Sequence, residues 1–270
     1  METQMVVVLA LGISVGLILG LTGAGGAVIG VPFLVFGLDL PVAEASPIAL
    51  LAVVIAASIG AVMGLRERQL RYKAALIMSG CGTLISPLGL WLAQQVPNNP
   101  LLIMFAAVLM YVSVKMFLQA RQELNGCNTN SRQSPPCLLD ETRGKLTWTL
   151  PCFRAMLSAG SAAGFLSGLL GVGGGFVIVP ALKNTTNLST HSIVATSLGV
   201  VTLISFAGVI GSSLANTMNW NIAGPFATAT LFGMVFGKSV SKKISGPKLQ
   251  QFFCIIALLV SFGMLYRAIY

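Results

Sequence analysis

Apolar residues fill this chain in long blocks, and the charged ones are confined to the gaps between them. Met5–Leu21, Ser46–Leu65, Ala74–Ala93, Leu101–Val114, Ala155–Leu170, Ser192–Ala215, Ile222–Gly237 and Phe252–Tyr266 contain no Asp, Glu, Lys or Arg. Most are long enough, alone or with flanking neutral residues, to cross a hydrocarbon core, which takes roughly 20 helical residues. Backbone groups in lipid must be paired within their own segment, so the blocks predict helices. A soluble protein with buried central helices would need amphipathic helices to wrap them, and too few such segments remain.

The blocks repeat. Shifting the chain by 148 residues superposes GLILGLTGAGGAVIGVPFL at 16–34 on GFLSGLLGVGGGFVIVPAL at 164–182 without a gap. The pairs Gly16/Gly164, Gly20/Gly168, Gly23/Gly171, Gly25/Gly173, Gly26/Gly174 and Pro32/Pro180 are identical. The same register adds Gly12/Gly160 upstream and Leu50/Leu198, Gly60/Gly208 and Gly89/Gly237 downstream. The chain therefore reads as a first transmembrane repeat over 1–120, a polar linker over 121–151 and a second repeat over 152–270. The linker, with Asn-Gly, Asn-Thr-Asn and Ser-Pro-Pro, has loop composition.

Composition agrees with a membrane protein. Only 9% of the 270 residues are charged, against roughly 25% in soluble domains, and the mean hydropathy is +0.87. The net charge of +9 comes without basic clusters interleaved with aromatics, which argues against nucleic acid. Met1-Glu2-Thr3-Gln4 lacks the positive region of a cleavable signal, so the first apolar run is expected to be a retained helix. Five cysteines without CxxC spacing, and His191 as the single histidine, argue against a metal site or a disulfide framework. No metal and no cofactor is expected. Cys81 and Cys254 read as small packing residues.

Loop charges bear on orientation. Cytoplasmic loops hold the excess of Lys and Arg. Arg66, Arg68, Arg71 and Lys73 follow the second apolar block, and Gln94–Pro100 is uncharged. In the second half the roles exchange: Asn216–Asn221 is uncharged, and Lys238, Lys242, Lys243 and Lys248 surround the next loop. Corresponding loops on opposite sides are the mark of an inverted repeat. Inversion needs an odd number of crossings per half, and three ordinary helices follow each glycine-rich segment. That segment is then expected to be re-entrant or a hairpin. The alternative is four plain crossings per half and a parallel duplication.

The glycines divide by role. Gly12, Gly16 and Gly20, with Gly160, Gly164 and Gly168, have the four-residue spacing of close helix packing. Gly23-Ala24-Gly25-Gly26 and Gly171-Val172-Gly173-Gly174-Gly175 predict helix breaks, since each Gly costs about 1 kcal/mol relative to Ala. Pro32 and Pro180 add a second expected interruption, with a helix-break or gating role. Broken backbone at membrane depth must line protein or a cavity, and the half-helix that follows presents free N–H groups that favour an anion. Gly23, Gly25, Gly26, Gly171, Gly173 and Gly174 are thus candidate substrate contacts, the alternative being a tight packing kink. No strand precedes the glycines and no Walker Lys-Ser/Thr follows, so they do not form a nucleotide loop.

The paired GLTGAGG and GLLGVGGG segments, each followed by a proline, and Ala195-Thr196-Ser197-Leu198 resemble the sulfite exporter TauE/SafE family of membrane permeases. The resemblance covers nearly the whole chain apart from the linker. It implies transport of a small sulfur-containing anion, such as sulfite, a sulfonate or sulfoacetate, across the cytoplasmic membrane. The first half has Pro47-Ile48-Ala49-Leu50 where the second has Ala195-Thr196-Ser197-Leu198, so hydroxyls of Thr196 and Ser197 on an anion would make the site asymmetric. Back-bonding to the helix is the alternative for both. Ser46 and Ser86 are weaker candidates of the same kind.

Glu44, after Asp39 and just before a helix, is a candidate for proton coupling or for a simple N-terminal charge. Lys183 and His191 could attract anions towards a vestibule, or simply sit at the interface. Trp91, Trp148 and Trp220 read as interfacial anchors, and Lys115 as a snorkelling residue. The expected function is a secondary transporter working without ATP, whose partners are a small anionic substrate and the bilayer, with homo-oligomerisation left open. An enzyme would need clustered acids or bases within the apolar blocks, which hold no carboxylate. A membrane scaffold or assembly subunit is the remaining alternative, though it has no need of two broken helices.

Overall fold

A computed structural model describes residues 2–124, 137, 139–140, 145–146, 149–214, 219–241 and 246–269. The apolar blocks are helices. In the first half α1 spans Glu2–Thr22, a 3₁₀ turn covers Gly23–Gly26, and α2 (Ala27–Leu38), α3 (Val42–Arg66), α4 (Tyr72–Gln95) and α5 (Asn98–Leu124) follow. In the second half come α6 (Leu150–Leu170), α7 (Gly175–Thr185), α8 (Thr190–Leu214), α9 (Trp220–Ser241) and α10 (Gly246–Ile269). Between the halves, β1 (Leu139–Asp140) pairs antiparallel with β2 (Lys145–Leu146). Helix α5 continues past Arg121, where the sequence suggested the linker begins.

Seven of the described helices are both long and apolar enough to cross a membrane. Helix α9 is as long but is diluted by Pro225, Lys238 and two threonines. Large apolar side chains point away from the protein: Leu84 is 80% exposed, Phe232 71% and Leu259 67%. Soluble monomers rarely expose such a surface, and lipid accounts for it. The protein is a polytopic helical membrane protein.

Each glycine-rich segment folds into a helical hairpin. Gly26 packs on Leu19, Gly30 on Val15 and Gly37 on Leu11, so α2 returns antiparallel along α1. With 12 residues, at 1.5 Å per residue α2 covers about 18 Å, short of a full crossing. Helix α7, with 11 residues, does the same beside α6. The expected second interruption does not occur. Helices α2 and α7 run through Pro32 and Pro180 to Leu38 and Thr185. A proline deprives only one carbonyl of its N–H partner, and the surrounding packing holds the turns in place.

The glycine stripes set the closest contacts, and these lie between the halves. Gly12, Gly16 and Gly20 face the carbonyls of Phe226, Thr230 and Met234 on α9. Gly160, Gly164 and Gly168 face those of Met78, Gly82 and Ser86 on α4. Adding 148 to one partner and subtracting it from the other converts each contact of the first set into one of the second. Gly60 on Leu198 and Gly208 on Leu50 obey the same rule. Such reciprocity is the pattern of a two-fold relation. The rising register makes α1 parallel to α9 and α4 parallel to α6. Helices α3 and α8, which correspond to each other, run antiparallel, since Gly64 meets Ala195 and Gly60 meets Leu198. So do α5 and α10, where Ser261 Oγ donates to Ala106 O and Gln250 Nε2 to Met116 O.

These directions collect the basic residues. Lys238 Nζ donates to Gly60 O at 3.4 Å, bringing the end of α9 to the end of α3. Arg66, Arg68, Arg71 and Lys73 share that face, while Lys242 and Lys243 lie outside the described residues. Trp91 and Trp220 are exposed at the other ends of α4 and α9; Trp148 lies outside the described residues. At that second face Arg267 pairs with Asp39 at 2.7 Å.

One expectation from the cysteines is overturned. Cys137 and Cys152 form a disulfide, and the Cys137 N–H donates to Thr185 O. Both are buried in the core. The bond ties the linker to the start of α6 and the end of α7. Spacing could not reveal it, because neither cysteine has a recognisable motif around it. Cys81 and Cys254 are free, and Cys127 lies outside the described residues.

Candidate functional site: the paired helix breaks

The two breaks have different conformations. In the first, Gly23 has φ +73° and opens a 3₁₀ turn, after which Gly26 is already right-handed. In the second, Gly171, Gly173 and Gly174 all have φ near +70°. A left-handed residue with a Cβ costs about 1–2 kcal/mol, so this path is open chiefly to glycine. Gly171 caps α6, its N–H donating to Ser167 O at 2.8 Å. Gly174 starts α7, and neither it nor Gly26 is accompanied by a side-chain cap. The first N–H groups of α7 therefore have no acceptor within their own helix.

The breaks meet. The 3₁₀ turn packs on α7 and α8, and α2 also touches α7. Gly23 lies against Val194, and Gly171 against Ser46, which is the same contact exchanged between halves. Gly173 faces Val53, Val201 and Ser205, and Gly174 faces Ala163. All four glycines are buried. None of these neighbours is charged, so the groups able to meet a ligand are backbone N–H groups and hydroxyls. Gly25 lies within the 3₁₀ turn.

The other sequence candidates fall elsewhere. Thr196 Oγ1 accepts the Arg71 N–H at 3.1 Å, holding the start of α4. Ser197 Oγ donates to Val194 O at 2.9 Å. Both are fully buried, and neither is among the side chains against Gly173. Ser46 Oγ sits 2.7 Å from Val42 O and 3.3 Å from Leu170 O, joining α3 to the end of α6. Glu44 is exposed in the first turn of α3, two residues before Ser46. Lys183 Nζ donates to Gln250 Oε1 at 2.8 Å, and His191 is exposed in the first turn of α8. Pro32 is buried, and Pro180 borders a crevice of about 530 Å³ between α5 and α7. That crevice is lined mainly by apolar residues, with Tyr111, Lys115 and Asn184, and none of its lining residues belongs to a break.

Ser205 was not evident from the sequence as a candidate. It is one hydroxyl in an apolar block, and an isolated polar residue at membrane depth was the available signal.

The family model for "Sulfite exporter TauE/SafE" matches residues 8–264. The chain belongs to this family. A "Probable membrane transporter protein YunE" of Bacillus subtilis is 23% identical, covering 98% of both chains. A "Probable membrane transporter protein" of Xylella fastidiosa is 26% identical, over 98% of this chain and 96% of its own. No solved structure gives a significant match. As a TauE/SafE member with full-length relatives so named, the chain stands among membrane transporters. The TauE/SafE match spans both hairpins and both sets of following helices, so the paired breaks lie inside the family unit.

Proposed function

We propose that this protein is a secondary permease that moves a small oxyanion, sulfite, a sulfonate or a related organosulfur anion, across the cytoplasmic membrane. The anion binds where the two breaks meet. The observation that carries the reading is the contact of the buried first break with α7, the half-helix opened by the second, where the nearest neighbours of the break glycines are uncharged. Free N–H groups there act at low dielectric, where their attraction for an anion is strongest. With uncharged groups as the nearest donors, binding stays weak enough for release.

The halves are inverted repeats about an axis in the membrane plane. Antiparallel α3 and α8, antiparallel α5 and α10, and the gathering of arginines and lysines on one face support this. Alternating access then follows from rocking one half against the other around a site fixed at their interface. Uptake of labelled sulfite, sulfoacetate and taurine into proteoliposomes tests the function. Saturable uptake of at least one is expected, and protein-independent flux for all three would overturn the proposal.

A further inference from the structure

Helix α8 carries several hydroxyls; Thr196 accepts the Arg71 N–H and Ser192 meets Ser189 Oγ. Ser197, Thr202 and Ser212 return their hydrogen bonds to carbonyls of their own helix, those of Val194, Leu198 and Gly208. That is the ordinary fate of a hydroxyl in an apolar helix. Ser205 does otherwise. It is fully buried, and its Oγ has no partner. A Cβ built on Gly173 would lie 2.6 Å from that Oγ, so the hydroxyl stands directly over the left-handed turn that opens α7. A buried hydroxyl is costly to leave unpaired, and native proteins do so seldom.

The arrangement is one-sided. Under the 148-residue shift Ser205 corresponds to Ala57, also fully buried, and Gly173 to Gly25. A second buried hydroxyl without a partner, Ser167, lies one turn before Gly171 and corresponds to Leu19. Among the described residues these are the two unpartnered buried hydroxyls, and both accompany the second break.

We infer that Ser205 donates a hydrogen bond to the transported anion, which is held by the second break rather than shared equally between the two. This inference rests on the anion site proposed above and narrows it. The ligand is an oxyanion with at least two acceptor oxygens, one facing the Ser205 hydroxyl and another the N–H groups that begin α7. The site discriminates by donor geometry, because the nearest neighbours of Gly173 and Gly174 are uncharged.

The test compares wild type with Ser205→Ala, Ser205→Cys and Ser212→Ala in proteoliposomes, using sulfite and sulfoacetate as probes. Ser205→Ala fits the fold, since alanine occupies the equivalent position 57. It is expected to raise KM by about tenfold, the size of one lost hydrogen bond to a charged group, while leaving the maximal rate within about twofold. Ser205→Cys keeps the volume but offers only a weak donor, and is expected to follow the alanine variant. Ser212→Ala is expected to match wild type. The anion-induced rise in thermal unfolding temperature is expected to shrink in Ser205→Ala, while the ligand-free temperature does not fall. A KM for Ser205→Ala within twofold of wild type overturns the inference and leaves the permease reading standing. Wild type that moves neither probe removes the permease reading itself.

Discussion

At Gly171 a single hydrogen atom in place of a side chain decides the path of the backbone. Its φ is +69°, and a Cβ there would lie 2.2 Å from that of Ser46. Gly171→Ala is therefore expected to suffer both the left-handed penalty of about 1–2 kcal/mol and a clash between halves. Gly80 is the contrasting case, with nothing within 4 Å of its added Cβ. Gly80→Ala is expected to leave the thermal unfolding temperature unchanged or slightly higher, gaining up to about 1 kcal/mol of helix propensity. Measured in detergent, the two variants should differ clearly in that temperature, and equal values would contradict the account. The glycines of the breaks were legible from the repeat itself. The hydroxyls were not: Thr196 and Ser197 sit beside a recognisable motif, yet their bonds go to Arg71 and Val194. Which hydroxyl reaches a break depends on helix rotation, and that is set by packing from the other half.

At the scale of elements, helix positions followed from hydrophobic blocks, and the break followed from glycine content. The partners of the glycine stripes did not. Spacing of four residues announces that something approaches closely, but not that α1 meets α9 and α6 meets α4. Gly16 and Gly164 are equivalent tight points of these seams, with an added Cβ only 2.1 Å from a partner carbonyl in each. Gly16→Leu and Gly164→Leu are each expected to force the helices apart and to yield aggregated or poorly expressed protein. The loss should be similar for both, since the contacts are equivalent under the repeat. Size-exclusion chromatography of a fluorescent fusion measures it; a monodisperse profile for either variant would show that the seam is not as tight as described. The prolines teach the opposite lesson. They looked like breaks from sequence, and the helices absorb them.

For the whole molecule, direction is the decisive property. Reporters in the α3–α4 and α9–α10 connections are expected to lie on the same side of the membrane, with those in the α4–α5 and α8–α9 connections opposite. The face rich in arginine and lysine is expected in the cytoplasm, and Cys152, in the first turn of α6, lies on it. Disulfides seldom persist there, so Cys137 and Cys152 are expected as thiols in growing cells, pairing after oxidation. Acid quenching of growing cells followed by alkylation in denaturant reads this out, because both sulfurs are buried in the folded protein; a pair that resists alkylation until it is reduced would reverse the assigned orientation. The loop charges made this arrangement readable in outline, while the disulfide, lacking any motif, was not. The central claim is that an oxyanion sits where the two breaks meet. The most direct measurement is a structure of the protein with selenite, whose selenium can be located by its anomalous signal. The account predicts a selenium site between the 3₁₀ turn and the start of α7, with an oxygen about 3 Å from Ser205 Oγ. Selenium bound only in the crevice beside Lys115 and Pro180, in protein that still transports sulfite, would contradict it.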